Sequence, residues 1–130
     1  MKWNEEYSTG SDEIDKQHKT LFESSEDFRD LLENGCNRES YEGFLEFLGT
    51  YAASHFEFEE DCMSSHKCPA ALQNKQEHSL FLNIISNETR DLEENGFSQE
   101  RGLNLLDMID NWMDSHICRV DVQLRDCISK

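Results

Sequence analysis

Tyr41, Phe44, Leu45, Leu48 and Ala52 follow one another at spacings of three and four, the period of a helix that buries one apolar stripe. The next positions on that stripe are His55 and Glu59, where further leucines would continue it. A carboxylate aimed into an apolar interior is costly unless it is paired or bound to a metal. Residues 55–63 therefore restrict the chain to folds that supply partners for a buried acid.

Three more stretches carry the same period. The first runs from about Ser11 or Asp12 to Glu33, with Ile14, His18, Leu21, Phe22, Ser25, Phe28 and Leu32 on one face and Asn34-Gly35 suited to a left-handed cap. The helix bearing Glu59 is expected from about Ser40 to Met63. Pro69 suits the first turn of a third helix, where a missing N–H costs no hydrogen bond. Its stripe is Ala71, Asn74, His78, Phe81, Leu82, Ile85 and Leu92, closed by Asn95-Gly96. Ser98 is placed to cap a fourth helix, striped by Leu105, Leu106, Ile109, Trp112, Met113 and His116.

Residues 1–10 lack periodicity and read as an N-terminal arm docked through Trp3 and Tyr7. Residues 119–130, with Val120 and Leu124, read as a short C-terminal helical segment. No strand pattern, repeat or low-complexity tract appears. At 130 residues the expectation is one domain over 1–130. Its fold class is all-α, an up-down-up-down antiparallel four-helix bundle with short connections.

On that bundle the polar residues of the stripes share one end. His18 lies near the start of the first helix, and His55 and Glu59 near the end of the second. Asn74 and His78 lie near the start of the third, and His116 at the end of the fourth. A single core histidine is commonly a satisfied boundary residue, and a lone His-x-x-x-Glu is commonly a surface pair. Their meeting in one layer is another matter, because each polar group left unsatisfied there costs about 1–3 kcal/mol. The convergence predicts a metal site.

Four imidazoles with carboxylates suit iron, zinc or copper better than magnesium or calcium. The ligands are too many for one ion. Two ions sharing bridging carboxylates could use them, with Glu59 as one bridge and Asp121, just past the fourth helix, as the other. The Glu-x-x-His pairs of ferritin-like sites are missing, since Asp15, Ala52, Lys75 and Met113 stand three residues before the core histidines. The His-Glu-x-x-His pattern of zinc proteases is missing too.

Charge narrows the partners. With 12 Lys+Arg against 28 Asp+Glu the formal charge is −16, which argues against nucleic acid or an anionic membrane as a direct partner. No apolar run reaches spanning length, so no membrane insertion is expected, and the first ten residues contain no signal-peptide core. The five cysteines (Cys36, Cys62, Cys68, Cys118 and Cys127) are odd in number and form no Cys-x-x-Cys. They read as free thiols in a reducing, cytoplasmic setting. His66 beside Cys62 and Cys68 has poor spacing for a zinc motif, so these read as loop and packing residues.

Several motifs combine into a resemblance. They are Trp3, the run Ile14-Asp15-Lys16-Gln17-His18-Lys19-Thr20-Leu21, and the pair His55-x-x-x-Glu59 with Glu60 and Met63. Pro69, Glu77-His78 with Phe81, and Trp112-x-x-x-His116-Ile117-x-x-x-Asp121 complete the set. Together they give the chain a resemblance to the bacterial hemerythrins over nearly its whole length. The resemblance implies a four-helix bundle holding a non-haem di-iron centre, two iron ions joined by an oxo or hydroxo bridge, with dioxygen as its reversible ligand. It implies His18 and His55 on the iron with the open position, His78 and His116 on the other, and Glu59 and Asp121 bridging both. It also implies an oxygen pocket lined by Leu21, Phe56, Trp112, Met113 and Ile117.

One position departs from that pattern. The family has a histidine four residues before His78, and this chain has Asn74. An amide oxygen is a weaker and shorter ligand than imidazole, reaching iron weakly or through a water. The second iron is therefore expected to be the less firmly held, favouring rapid oxidation over stable oxygen carriage.

Nothing in the sequence pairs a nucleophile with a poised base, so the domain is read as non-catalytic. The expected function is oxygen or redox sensing, with the arm and the segment after Asp121 as transmitters. By the resemblance, the output is a fused or partner signalling domain such as a diguanylate cyclase, and the end at Ser129-Lys130 fits a sensory domain excised from a longer chain. A free-standing oxygen carrier or store is the alternative. Di-iron oxidase or peroxidase chemistry is a third reading.

Overall fold

The computed structural model describes residues 2–128, and among them every regular element is helical. Four long helices, α1 (Asp12–Glu33), α2 (Arg38–Ser65), α3 (Ala71–Asn95) and α4 (Gln99–His116), are followed by a short α5 (Leu124–Ile128). Single turns of 3-10 helix stand at Glu5–Tyr7 and Asp121–Gln123. Met1 of the arm and Ser129-Lys130 of the C-terminal segment lie outside the described residues.

Side-chain caps fix where the helices begin. Ser11 Oγ accepts from Ile14 N at 3.3 Å, and Ser98 Oγ accepts from Arg101 N at 3.1 Å, each satisfying a donor left over in the first turn. Asn37 does the same for α2, its side-chain oxygen accepting from Ser40 N at 2.9 Å. That cap starts α2 at Arg38, two residues before the sequence reading, and the helix also runs two residues past Met63. Gly35 (φ +91°) and Gly96 (φ +79°) end α1 and α3 in the backbone region that glycine enters without strain.

Pro69 does not open α3. It sits at the second position of a turn closed by Ala71 N donating to Cys68 O at 3.1 Å. Ala70 follows at φ −82°, ψ −1°, the third-position geometry of a type I turn. The first helical bond is Asn74 N to Ala70 O, so proline fixes the corner before α3 and leaves the helix start to Ala71.

The helices pack as an antiparallel bundle, α2 chiefly along α3 and α1 along α4, with α1–α2 and α3–α4 contacts closing the ring. Away from the histidines the interior is apolar. Phe28 and Phe44 stack with centroids 4.0 Å apart, and Tyr41, fully buried, donates its hydroxyl to Glu88 at 2.8 Å. Gly102 lets α4 approach α1 closely, for a Cβ there would lie 2.8 Å from a Leu32 methyl.

The arm is tied down more firmly than Trp3 and Tyr7 alone would manage. Tyr7 stacks on Phe22 at 6.0 Å, and Lys19 lies over the Trp3 ring at 4.3 Å. The decisive anchor is Asp15, whose carboxylate accepts from Thr9 N (2.8 Å), Thr9 Oγ1 (2.9 Å) and Ser8 Oγ (2.6 Å). Thr9 is fully buried, so without Asp15 its N–H has no replacement in water. Asp15→Ala should cost about 2–3 kcal/mol, seen as a lower melting temperature and protease cleavage within the arm. An unchanged melt and digest would remove this role from Asp15.

Candidate metal centre

Seven side chains meet in one layer near one end of the bundle. His18 comes from α1, His55 and Glu59 from α2, Asn74 and His78 from α3, and His116 from α4. Asp121 arrives by a tight reversal in which Val120 N donates to His116 O at 2.8 Å. All seven are 3% exposed or less.

The two carboxylates divide the layer into halves. Glu59 Oε2 faces His18 Nε2 at 3.0 Å and His55 Nε2 at 3.4 Å, while Oε1 faces His78 Nε2 at 3.0 Å and His116 Nε2 at 3.6 Å. Asp121 repeats the division, with Oδ2 3.1 Å from His18 Nε2 and Oδ1 2.9 Å from His116 Nε2. Two sets capable of holding an ion result, His18-His55-Glu59-Asp121 and Glu59-His78-His116-Asp121. Each carboxylate belongs to both and offers a different oxygen to each. Asp121 Oδ2 lacks an aligned hydrogen-bond donor despite complete burial, the condition of an acceptor shaped for a cation.

Three imidazoles are held from behind. His55 Nδ1 bonds Gln17 Oε1, His78 Nδ1 bonds Glu60 Oε2 at 2.8 Å, and His116 Nδ1 bonds Glu77 Oε1 at 3.0 Å. A proton on each Nδ1 leaves the Nε2 lone pair turned inward, the arrangement that orients a metal-bound histidine. Phe56 stacks on His78 with centroids 3.8 Å apart, and Trp112 on His116 at 4.3 Å. Gln17, Glu60 and Glu77 were not assigned this supporting role from sequence. Their signals were adjacency, each standing next to a core ligand candidate, and membership of the motifs that carry the resemblance.

Electrostatics among these side chains favour protons on His18 and His116. Burial opposes charge on His18, but the facing carboxylates of Asp121 and Glu59 outweigh it and raise its pKa to about 9. His116 is likewise raised to about 10 against burial, by Asp121 and then Glu59. His55, where burial dominates, falls to about 3. Glu59 stays well below the usual carboxylate range because bonds from His116, His18 and His78 overcome its burial. Asp121 moves upward through burial and the neighbouring Glu59 charge. Four imidazole nitrogens and two shared carboxylates form a donor set that fits two first-row transition ions.

The residues expected to line an oxygen pocket (Leu21, Phe56, Trp112, Met113 and Ile117) are all buried in the apolar core. Phe56 and Trp112 lie against the imidazoles of the His78/His116 half. Cys68 is buried beside Ile14, Met63 and Leu124, with Cys62 and Cys127 packed around it, and burial pushes its thiol up to about 12. All five cysteines are free. His66 Nδ1 bonds Cys62 O at 2.8 Å, apart from the layer.

The family model of the hemerythrin HHE cation binding domain matches residues 9–124. Among similar proteins, a bacteriohemerythrin of Clostridium acetobutylicum is 29% identical over 128 residues, spanning 95% of this chain and 98% of its own length. One from Pseudomonas aeruginosa is 29% identical over 128 residues, spanning 98% of this chain and 81% of its own length. A third, from Methylococcus capsulatus, is 27% identical over 132 residues, spanning 99% and 97%.

Proposed function

Because the chain belongs to the hemerythrin family, we propose that its histidine layer holds two iron ions, binds dioxygen, and reports oxygen or redox state to a signalling partner. The supporting observation is the split of Glu59 and Asp121, each giving one oxygen to each histidine pair. His18 and His55 would hold one ion, His78 and His116 the other, with both carboxylates shared. Such a pair supplies reversible two-electron exchange with dioxygen when bound. The surrounding residues do the remaining work. Gln17, Glu60 and Glu77 fix the ring orientations, while Leu21, Met113 and Ile117 keep water from the layer.

A sensing role, with residues 1–130 acting as one module, draws support from the ends of the chain. Three residues after Asp121 the backbone enters α5 at Leu124, which is fully buried. Arg125 donates to Ser8 O and Glu6 O at 2.7–2.9 Å, clasping the arm. A change at Asp121 thus has a short mechanical route to both ends. Among the described residues no helix is long and apolar enough to cross a membrane. The output we propose is a fused or separate cytoplasmic domain. Asn74 in place of a histidine favours this reading over oxygen storage.

Iron analysis with optical spectra of the reduced protein before and after air is the test. Two irons per chain with an air-dependent spectrum is the expected result, and zinc alone or no metal overturns it. A long-lived oxygenated form that oxidises slowly would instead select a carrier.

A further inference from the structure

The two halves of the layer differ in how their acceptors are satisfied. In the His78/His116 half, one terminal atom of the Asn74 amide lies 2.8 Å from Glu59 Oε1 and 2.8 Å from Asp121 Oδ1, with His78 Nε2 and His116 Nε2 each at 3.0 Å. In the His18/His55 half, Asp121 Oδ2 is buried without an aligned donor. Asn74 itself is fully buried, and its two ends have nearly the same shape but opposite roles, NH2 donating and oxygen accepting.

The chemistry of that position depends on whether a cation is present. An amide oxygen 2.8 Å from two carboxylate oxygens is repelled by both and is tolerable only with a cation among them. With the NH2 there, its two hydrogens go to Glu59 Oε1 and Asp121 Oδ1, both charge-assisted bonds. The spacing serves either state, since atoms about 2.1 Å from a shared ion and at right angles lie roughly 3 Å apart.

We propose that Asn74 is a reversible stopper that sets the order of metal loading. In the metal-free protein its NH2 closes the His78/His116 half. A divalent first-row ion enters the His18/His55 half first, where Asp121 Oδ2 faces His18 Nε2 at 3.1 Å without an aligned hydrogen bond. The second ion enters only when the amide makes a half turn and presents its oxygen as a ligand. Glu60 and Glu77 act in the opposite sense, because carboxylates behind His78 and His116 make those imidazoles better donors. They strengthen the hold on the second ion once it has entered; the stopper governs entry. The inference rests on the two-ion reading of the layer.

Cobalt(II) titration of the full chain, stripped by a chelator, tests it without any oxygen chemistry, since cobalt absorption reports coordination directly. Two steps are expected, the second weaker by at least about tenfold. Asn74→His, which removes the stopper and adds an imidazole, should bring the steps within about threefold. Asn74→Ala removes stopper and amide ligand together; the stopper's two charge-assisted bonds outweigh one weak amide bond to the ion, so the gap should narrow. A widened gap, or two equal steps in the unaltered protein, which needs no variant, overturns the proposal while leaving the two-ion reading intact. Binding of no cobalt overturns both.

Discussion

Glu59→Gln should abolish binding of paired ions, lowering metal content from two per chain to one or none and weakening what remains at least a hundredfold. The side chain keeps its size, so the effect isolates charge and symmetry. Glutamine has one acceptor oxygen, so a single half of the layer receives it and the other faces an NH2. Loss of an outer-shell partner costs roughly 10–100-fold in metal affinity, and Glu59 faces all four histidines directly. The metal-free fold should suffer as well, by about 3–5 kcal/mol, because a buried charge loses its partner. That penalty has a pH signature. His18 and His116 are raised from 6.5 to about 9 and about 10, so the stability they share with Glu59 is fully present below pH 6.5 and lost as pH rises through 9 to 10. Unaltered and Glu59→Gln proteins should thus differ more in denaturant midpoint at pH 6 than at pH 10. Two tightly held ions in the variant, by elemental analysis, would remove Glu59 from the bridging role.

The bundle was legible because helix-forming periodicity and burial agree. Once Ala52, His55 and Glu59 share a stripe, the helix must carry its polar end into the core. The cap at Ser98 followed from local chemistry alone. Pro69 was misplaced for a local reason too. The first turn of a helix and the second position of a type I turn require nearly the same φ, and only the Ala71–Cys68 bond decides between them. Less was legible where a role depends on the neighbouring helix. Gln17, Glu60 and Glu77 sit off the apolar stripes and look like ordinary solvated positions until α1, α2 and α3 are set side by side. Asp15 entered only as a member of the run leading to His18, yet its partners are Ser8 and Thr9 in the arm. Burial of Trp112 followed from period and that of Phe56 from the resemblance, but not which imidazoles they cover. Asn74 stood out only against a family pattern; its distance to four would-be ligand atoms required coordinates.

Stripping the metal should loosen the chain ends before it loosens the bundle. With cations present, Asp121 would be held from both halves. Without them its Oδ2 keeps only the contact with His18 Nε2 at 3.1 Å, with no aligned hydrogen bond, and burial beside Glu59 works against its charge. The strain falls on a short connection, because α5 begins at Leu124, whose side chain packs with Ile14, Met63 and Cys68. Arg125 carries any displacement to Glu6 and Ser8, and Asp15 holds the same stretch of arm from the other side. Hydrogen exchange on loaded and chelated protein should show the amides of residues 120–128 and of Thr9 losing at least about tenfold in protection, an opening of local rather than global kind. Amides around Leu32, Tyr41 and Leu92, deep in the apolar part of the bundle, should change little. A uniform loss along all four helices would make the metal a general staple, and no loss at the ends would break the proposed route to a partner. Only a local response gives an output domain something to read, and a store of oxygen would have no use for it.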